Sequence, residues 1–319
     1  MYFWKILNNR TSSYWETYRR EYFYMKKCVV TGAAGFTGYS LVENLIAHGY
    51  FVYAVVRPQS EHNVRLAGMS NMQMVYADIS EYGQLDEKIQ DTCDAFFHLA
   101  WQGERYDFAS QYQNIEYALG ALEAAARLGC KRFICTGSQA EYGPQKGLIT
   151  EETCPHPADA YGAAKLAACL LTRQRAADLD MDWIWGRIFS LYGKYEAETR
   201  MLPALVKSLR ENKDFQMATD GRQNWDYLYV SDGAEALIAL LEKGKPGEIY
   251  NIAHGNYRTM REFVGLVEKF VGNTACVVYD ETNISLYSLQ PSSEKLKRDT
   301  GWLPQVEFCS GLEFYGRKM

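Results

Sequence analysis

Between residues 31 and 38 the chain reads Thr31-Gly32-Ala33-Ala34-Gly35-Phe36-Thr37-Gly38. This G-x-x-G-x-x-G stretch follows a short apolar run, Lys27–Thr31, and opens a segment of helical period over Phe36–His48. Glycines there permit a tight turn and let the backbone come close to a ligand. The free N–H groups and the positive end of the helix dipole then face an anion such as a pyrophosphate. A glycine triplet alone constrains little, but one set between a strand and a helix at the head of a βαβ series marks a dinucleotide cradle.

The rest of the chain continues that series. Further strands are expected at Phe51–Arg57, Met72–Tyr76, Ala95–Leu99, Lys131–Thr136, Trp183–Phe189 and Glu248–Ile252, each short and apolar at its centre. Between them Phe36–His48, Gly83–Gln90, Phe108–Leu128, Ala158–Ala177 and Gly233–Glu242 carry apolar residues at helical spacing, with Gly49 and Gly129 where C-caps belong. Strands alternating with helices predict an α/β fold, a doubly wound parallel sheet of the Rossmann type. The expected dinucleotide-binding domain takes residues 25–190 and about 231–253. A smaller substrate lobe, about 191–230 and 254–319, is expected at the carboxyl ends of the strands, where such sheets hold ligands. Residues 1–24 are crowded with Tyr, Trp and Phe and read as an extension; an upstream start and an aromatic docking arm both fit.

Composition narrows the function classes. With 34 Lys+Arg against 39 Asp+Glu the formal charge is −5, and no basic block exceeds short pairs, which argues against nucleic-acid partners. No run approaches the roughly 20 apolar residues of a membrane span, so no membrane partner is expected and the expected compartment is cytoplasmic. The eight cysteines are scattered without a C-x-x-C pair, and no second His stands at ligand spacing from His98, so no metal site is expected.

The cofactor's identity turns on the end of the second strand. A fold selecting NAD presents a carboxylate there for the ribose 2′-hydroxyl. Here the chain reads Val55-Val56-Arg57-Pro58, and the planar fork of Arg57 suits a 2′-phosphate instead. NADP(H) is therefore favoured, with NAD(H) possible. Asp78, after the third strand, is placed to accept from the adenine amino group.

Three more segments carry a family likeness: Asp94-Ala95-Phe96-Phe97-His98-Leu99-Ala100, Thr136-Gly137-Ser138-Gln139-Ala140-Glu141-Tyr142-Gly143, and Asp159-Ala160-Tyr161-Gly162-Ala163-Ala164-Lys165. From about Lys26 to Leu312 the chain resembles the extended short-chain dehydrogenase/reductases, specifically the nucleotide-sugar epimerase/dehydratase family. The resemblance implies a nicotinamide enzyme acting on a hexose joined to a nucleoside diphosphate. Tyr161 and Lys165, at i and i+4, share one helix face. An ammonium beside a phenol favours the phenolate, so Tyr161 can exchange a proton with the substrate oxygen as general acid or base. Lys165 would also bind the nicotinamide ribose, and Ser138 would polarise the carbonyl. The resemblance further implies cofactor contacts at Gly32, Gly35, Phe36, Thr37, Gly38, Arg57, Asp78, Ile79, Leu99, Ala100, Asn114 and Ile188. His98 fits best as a core histidine.

The chain also departs from the family. The dehydratases it resembles carry Asp and Glu after the serine position; here stand Gln139 and Ala140, and a methyl group cannot abstract a proton. The arginine expected before the Val-Asp-Asp segment is Trp225, and the asparagine after the sixth strand is Ser190. Arg200, Arg222 and Arg258 are candidate replacements for the diphosphate contact, while Trp101 to Arg105 and Gln139 would border the sugar. The leading expectation is an NADP(H)-dependent 4-keto-6-deoxyhexose reductase; a nucleotide-sugar 4-epimerase with NAD(P) is the alternative, and a catalytically silent dinucleotide sensor the third. A homodimer is expected through Phe108–Leu128 and Ala158–Ala177, with Ala118, Gly120, Ala121, Ala164 and Ala168 permitting close approach.

Overall fold

Alternation along each strand decides the architecture. The computed structural model describes residues 26–272 and 274–316, so the aromatic segment 1–24 lies outside the described residues. The strands β1 (Lys27–Thr31), β2 (Phe51–Val56), β3 (Met72–Tyr76), β4 (Ala95–His98), β5 (Arg132–Ser138), β6 (Asp182–Ile188) and β7 (Glu248–Ile252) form one parallel sheet. Their spatial order is β3-β2-β1-β4-β5-β6-β7. Successive side chains point to opposite faces, and both faces are covered. Cys28, Val30, Phe97, Ile134 and Ile184 pack on one side, and Val29, Phe96, Phe133, Trp183 and Trp185 on the other. This is why the strands read as continuous apolar runs rather than alternating ones.

The helices are α1 (Phe36–Ala47), α2 (Leu85–Lys88), α3 (Phe108–Arg127), α4 (Ala160–Asp178), α5 (Met201–Arg210), α6 (Val230–Lys243) and α7 (Met260–Val271). Helices α1 and α6 cover the first face, α3 and α4 the second. Gly49 and Gly129 have φ of 82° and 75° and close α1 and α3 with paired backbone bonds back to the last turn, as expected of them. The helix expected over Gly83–Gln90 is shorter. A capping box between Asp78 and Glu81 starts a 3-10 turn at Ile79–Gln84, and only one α turn follows. A separate apolar cluster joins Leu202, Leu205 and Val206 of α5 to Phe263, Val264 and Val267 of α7, beside Tyr192, Tyr227 and Phe308.

The sheet reverses its winding between β1 and β4, so the loops after these strands diverge and leave a crevice at their carboxyl ends. The small residues expected to support a dimer instead serve this packing. Ala118, Ala121 and Ala168 are fully buried and Ala164 nearly so, and a Cβ on Gly120 would lie 3.3 Å from Gly83 of the same chain.

Behind the turn that follows β5 lies a buried ion pair. Glu141 Oε1 accepts from Ser138 N at 2.8 Å and Trp185 Nε1 at 2.9 Å, and Oε2 accepts from Arg187 Nε at 2.7 Å. Burial opposes the Arg187 charge, but Glu141 and Tyr142 overcome it and hold the guanidinium above its ordinary value. Removing one partner of such a pair leaves the other charge buried alone. Glu141→Ala should therefore lower the unfolding free energy by about 3–5 kcal/mol, measured as a lower urea midpoint at unchanged slope; a midpoint close to wild type would contradict this account.

Candidate active site

The glycine turn closes because its backbone atoms come unusually near each other. Gly32 has φ 68°, and Gly35 N donates to Gly32 O at 2.9 Å before capping α1. A Cβ on Gly38 would sit 2.1 Å from Gly32 O, so only glycine lets α1 rest on the turn. Thr31 Oγ1, buried beneath, accepts from Leu99 N at 3.1 Å and Ala100 N at 3.3 Å, which ties the loop after β4 to the glycine turn. Gly38 itself lines neither cleft described below; it acts through this packing.

Two clefts open along the carboxyl ends of the strands. The smaller, 180 Å³, brings together Gly32, Gly35, Arg57, Asp78, Ile79, Ala100 and Trp101. Arg57 is exposed, one residue beyond β2, and no ion pair among the described residues engages it. Asp78 Oδ1 accepts from Ser80 N and Oγ, bonds that hold its carboxyl below the usual value. Ser60, His62 and Asn63 also line this cleft. No periodicity in the sequence pointed to them, because they lie on a 3-10 turn, Glu61–Leu66, and its approach.

The larger cleft, 520 Å³, gathers Phe36, Thr37, Leu99, Trp101, Ser138, Gln139, Tyr161, Lys165, Ile188, Ser190, Arg200 and Trp225. Its size suits a small-molecule ligand. Ser138 caps the turn after β5: its Oγ accepts from Ala140 N at 3.2 Å, leaving the hydroxyl proton free to donate. The S-x-x-E spacing of Ser138 and Glu141 is a capping-box signal that the sequence carried and its reading passed over. Helix α4 starts at Asp159, whose Oδ1 accepts from Gly162 N at 2.8 Å. A Cβ on Gly162 would lie 2.4 Å from Ala140 O, so the helix that carries Tyr161 is packed directly on the serine turn. Lys165 is buried, and its ammonium donates to Thr136 O at 2.7 Å.

Other candidates sit elsewhere. Asn114 is fully buried and lines neither cleft; its amide accepts from Gln102 N at 3.1 Å and donates to Gln102 O at 2.9 Å and Ser110 O at 2.8 Å. A buried amide must satisfy its own bonds, and here it pins the loop that carries Trp101. Arg222 faces Glu281 and Asp220 away from both clefts, and Arg258, paired in register with Trp225, lines neither. His98 bonds Thr31 Oγ1 at 3.0 Å; burial, with Lys165 nearby, pushes its imidazole down to about 3, so it stays neutral. Arg105 also lines the larger cleft.

These features fit a dinucleotide: a turn that a Cβ would fill, a helix N-terminus facing the crevice, and an unpaired guanidinium at the strand end. Comparison with known proteins agrees. A model of the NAD dependent epimerase/dehydratase family matches residues 28–253. The chain is 27% identical to dTDP-glucose 4,6-dehydratase of Neisseria meningitidis serogroup B, over 90% of this chain and 91% of that protein. It is 26% identical to UDP-glucose 4-epimerase of Corynebacterium glutamicum, over 88% and 91%. Among solved structures, UDP-glucuronic acid 4-epimerase from Bacillus cereus, in complex with UDP-glucuronic acid and NAD, is similar with a TM-score of 0.79 at 25% identity, covering 91% of this chain and 98% of that one. With the match spanning most of the sheet and both clefts, the chain belongs to the NAD-dependent epimerase/dehydratase family.

Proposed function

We propose that the protein interconverts a hydroxyl and a carbonyl at a ring carbon of a nucleoside-diphosphate hexose without eliminating water, as a nucleotide-sugar 4-epimerase. The observation that carries this reading is the larger cleft, where Ser138, Tyr161 and Lys165 converge while positions 139 and 140 offer only an amide and a methyl group. The likeness to UDP-glucose 4-epimerase supports it. Gly32, Gly35, Phe36, Thr37, Leu99, Ala100 and Ile188 would hold the dinucleotide, with Asp78 and Ile79 at its adenine end. When bound, the nicotinamide cofactor supplies a hydride acceptor and donor. Ser138 donates to the substrate oxygen and Tyr161 takes or returns its proton. Lys165 holds positive charge beside the phenol, favouring the phenolate. The segments 191–230, 254–272 and 274–316 would form the substrate lobe, with Ser190, Gln139, Trp225 and Arg200 around the sugar and diphosphate.

The test is conversion of UDP-glucose by the purified full-length chain with added NAD or NADP, read by chromatography of the nucleotide sugars. Tyr161→Phe should lower turnover by at least about a hundredfold, the scale of general acid–base catalysis, with cofactor affinity little changed. Near-normal turnover in that variant would remove Tyr161 from the mechanism.

A second reading, net reduction of a 4-keto-6-deoxyhexose nucleotide by NADPH, is favoured by Arg57. Its guanidinium lines the smaller cleft, and among the described residues the one carboxylate lining that cleft, Asp78, is bonded to Ser80. Arg57→Ala should weaken NADPH binding about ten- to a hundredfold, the scale of a hydrogen bond to a charged group, and leave NADH almost unaffected. Fluorescence titration with both reduced cofactors decides this; equal losses for both, or none, would point back to bound NAD and the epimerase.

The chain is also proposed to pair with a second copy of itself. The small residues are spent inside the subunit, but α3 and α4 pack side by side and expose Phe108, Tyr112, Leu170 and Leu171 outward. Four large apolar side chains on neighbouring helices suit burial against a symmetric copy. Sedimentation at micromolar concentration should show a dimer, and Leu170→Glu should shift it to monomer; a wild-type monomer would contradict the claim.

A further inference from the structure

Trp101 occupies an unusual place, because it lines both clefts and stands where they meet. Its ring centroid lies 3.7 Å from Lys165 Nζ, and its edge meets the Tyr161 ring at 6.3 Å between centroids. The ring is not free to turn. Its Nε1 donates to Gln111 Oε1 at 2.7 Å, and Gln111, itself buried, donates from Nε2 to Glu104 O at 2.9 Å. At the other end of the same loop, Arg105 Nη1 donates to Asp159 at 2.7 Å, its guanidinium lies 5.0 Å from the Tyr161 ring centroid, and its carbonyl accepts from Tyr161 N at 3.1 Å. The loop therefore touches both members of the Tyr161–Lys165 pair from one side, and α4 carries them on the other.

We infer that Trp101 is a positioning residue for Lys165, its indole face capping the ammonium while the loop 101–105 clamps Tyr161 through Arg105. The inference rests on the reading of Tyr161 and Lys165 as the proton-handling pair. A buried ammonium carries three donors, and among the described residues its hydrogen bond is to Thr136 O. The negative face of an indole is the strongest aromatic partner for the remaining charge. Without it the ammonium at the end of lysine's flexible four-carbon stem keeps its bond to Thr136 O but loses the face that fixes its direction. The sequence suggested a different role for Trp101, as a wall of the sugar site. The two roles separate in kinetics: a substrate wall acts on KM, whereas a support for Lys165 acts on kcat.

The experiment compares Trp101→Phe, which keeps an aromatic face, with Trp101→Leu, which removes it. Trp101→Leu should lower kcat at least about tenfold with KM for the nucleotide sugar within about threefold, and Trp101→Phe should retain kcat within about threefold. Independently of activity, the urea midpoint lost through Trp101→Leu should be smaller in a Lys165→Met background than in wild type, because the contact is then already gone. Equal losses in both backgrounds, or a rise in KM alone, overturns the inference. Coupling in urea together with no turnover of any nucleotide sugar by the wild-type chain supports the clamp and overturns the assigned reaction instead.

Discussion

The carboxylate of Glu141 is the point on which the reactive side of the sheet depends. It has no exposure to solvent, yet it takes hydrogen bonds from the backbone of Ser138, the indole of Trp185 and the guanidinium of Arg187. One buried charge thereby joins the end of β5, the turn after it and the neighbouring strand β6. An unpaired carboxylate in that position would cost several kcal/mol, so the arrangement holds as a unit. Ser138 inherits its orientation from it, and α4 is seated on the same turn through Gly162 and Ala140.

A second constraint runs along the other side of the crevice. The backbone of the glycine turn, the Thr31 hydroxyl and the start of the loop after β4 are hydrogen-bonded into one piece. Arg65 extends it, donating to Ala34 O at 3.1 Å while stacking 4.4 Å from the ring centroid of Tyr195, in the segment that leads to Arg200. The anion cradle and the larger cleft are thus built from elements that share partners. Trp101, between them, is the side chain common to both.

The family's chemistry is narrowed by what its residues cannot do. Gln139 lines the cleft, but an amide is neither acid nor base at neutral pH, and Ala140 is a buried methyl group. Trp225 presents an indole to the same cleft, an aromatic face rather than a charge. Among the described residues the arginines lining that cleft are Arg105 and Arg200, the latter at the N-cap of α5.

The sequence by itself determined the sheet, the glycine cradle and the Tyr161–Lys165 pair, because each rests on short-range rules: short apolar runs set between stretches of helical period, the spacing of glycines at a strand-to-helix turn, and the i, i+4 geometry of a helix. Arg57 and Asp78 were legible for the same reason, as residues at strand ends. Only the tertiary structure decided which polar side chains face the clefts and which are spent within the protein. Asn114 and Gln111 lie three residues apart on α3, and both are consumed holding the loop 101–105, through bonds to backbone atoms seven to twelve residues away. Glu141 finds Arg187 across 46 residues, and the alanines of α3 and α4 meet within one subunit rather than across two. These partners are chosen by burial, where every donor and charge must be matched by whatever the fold brings near, and no local pattern records that choice.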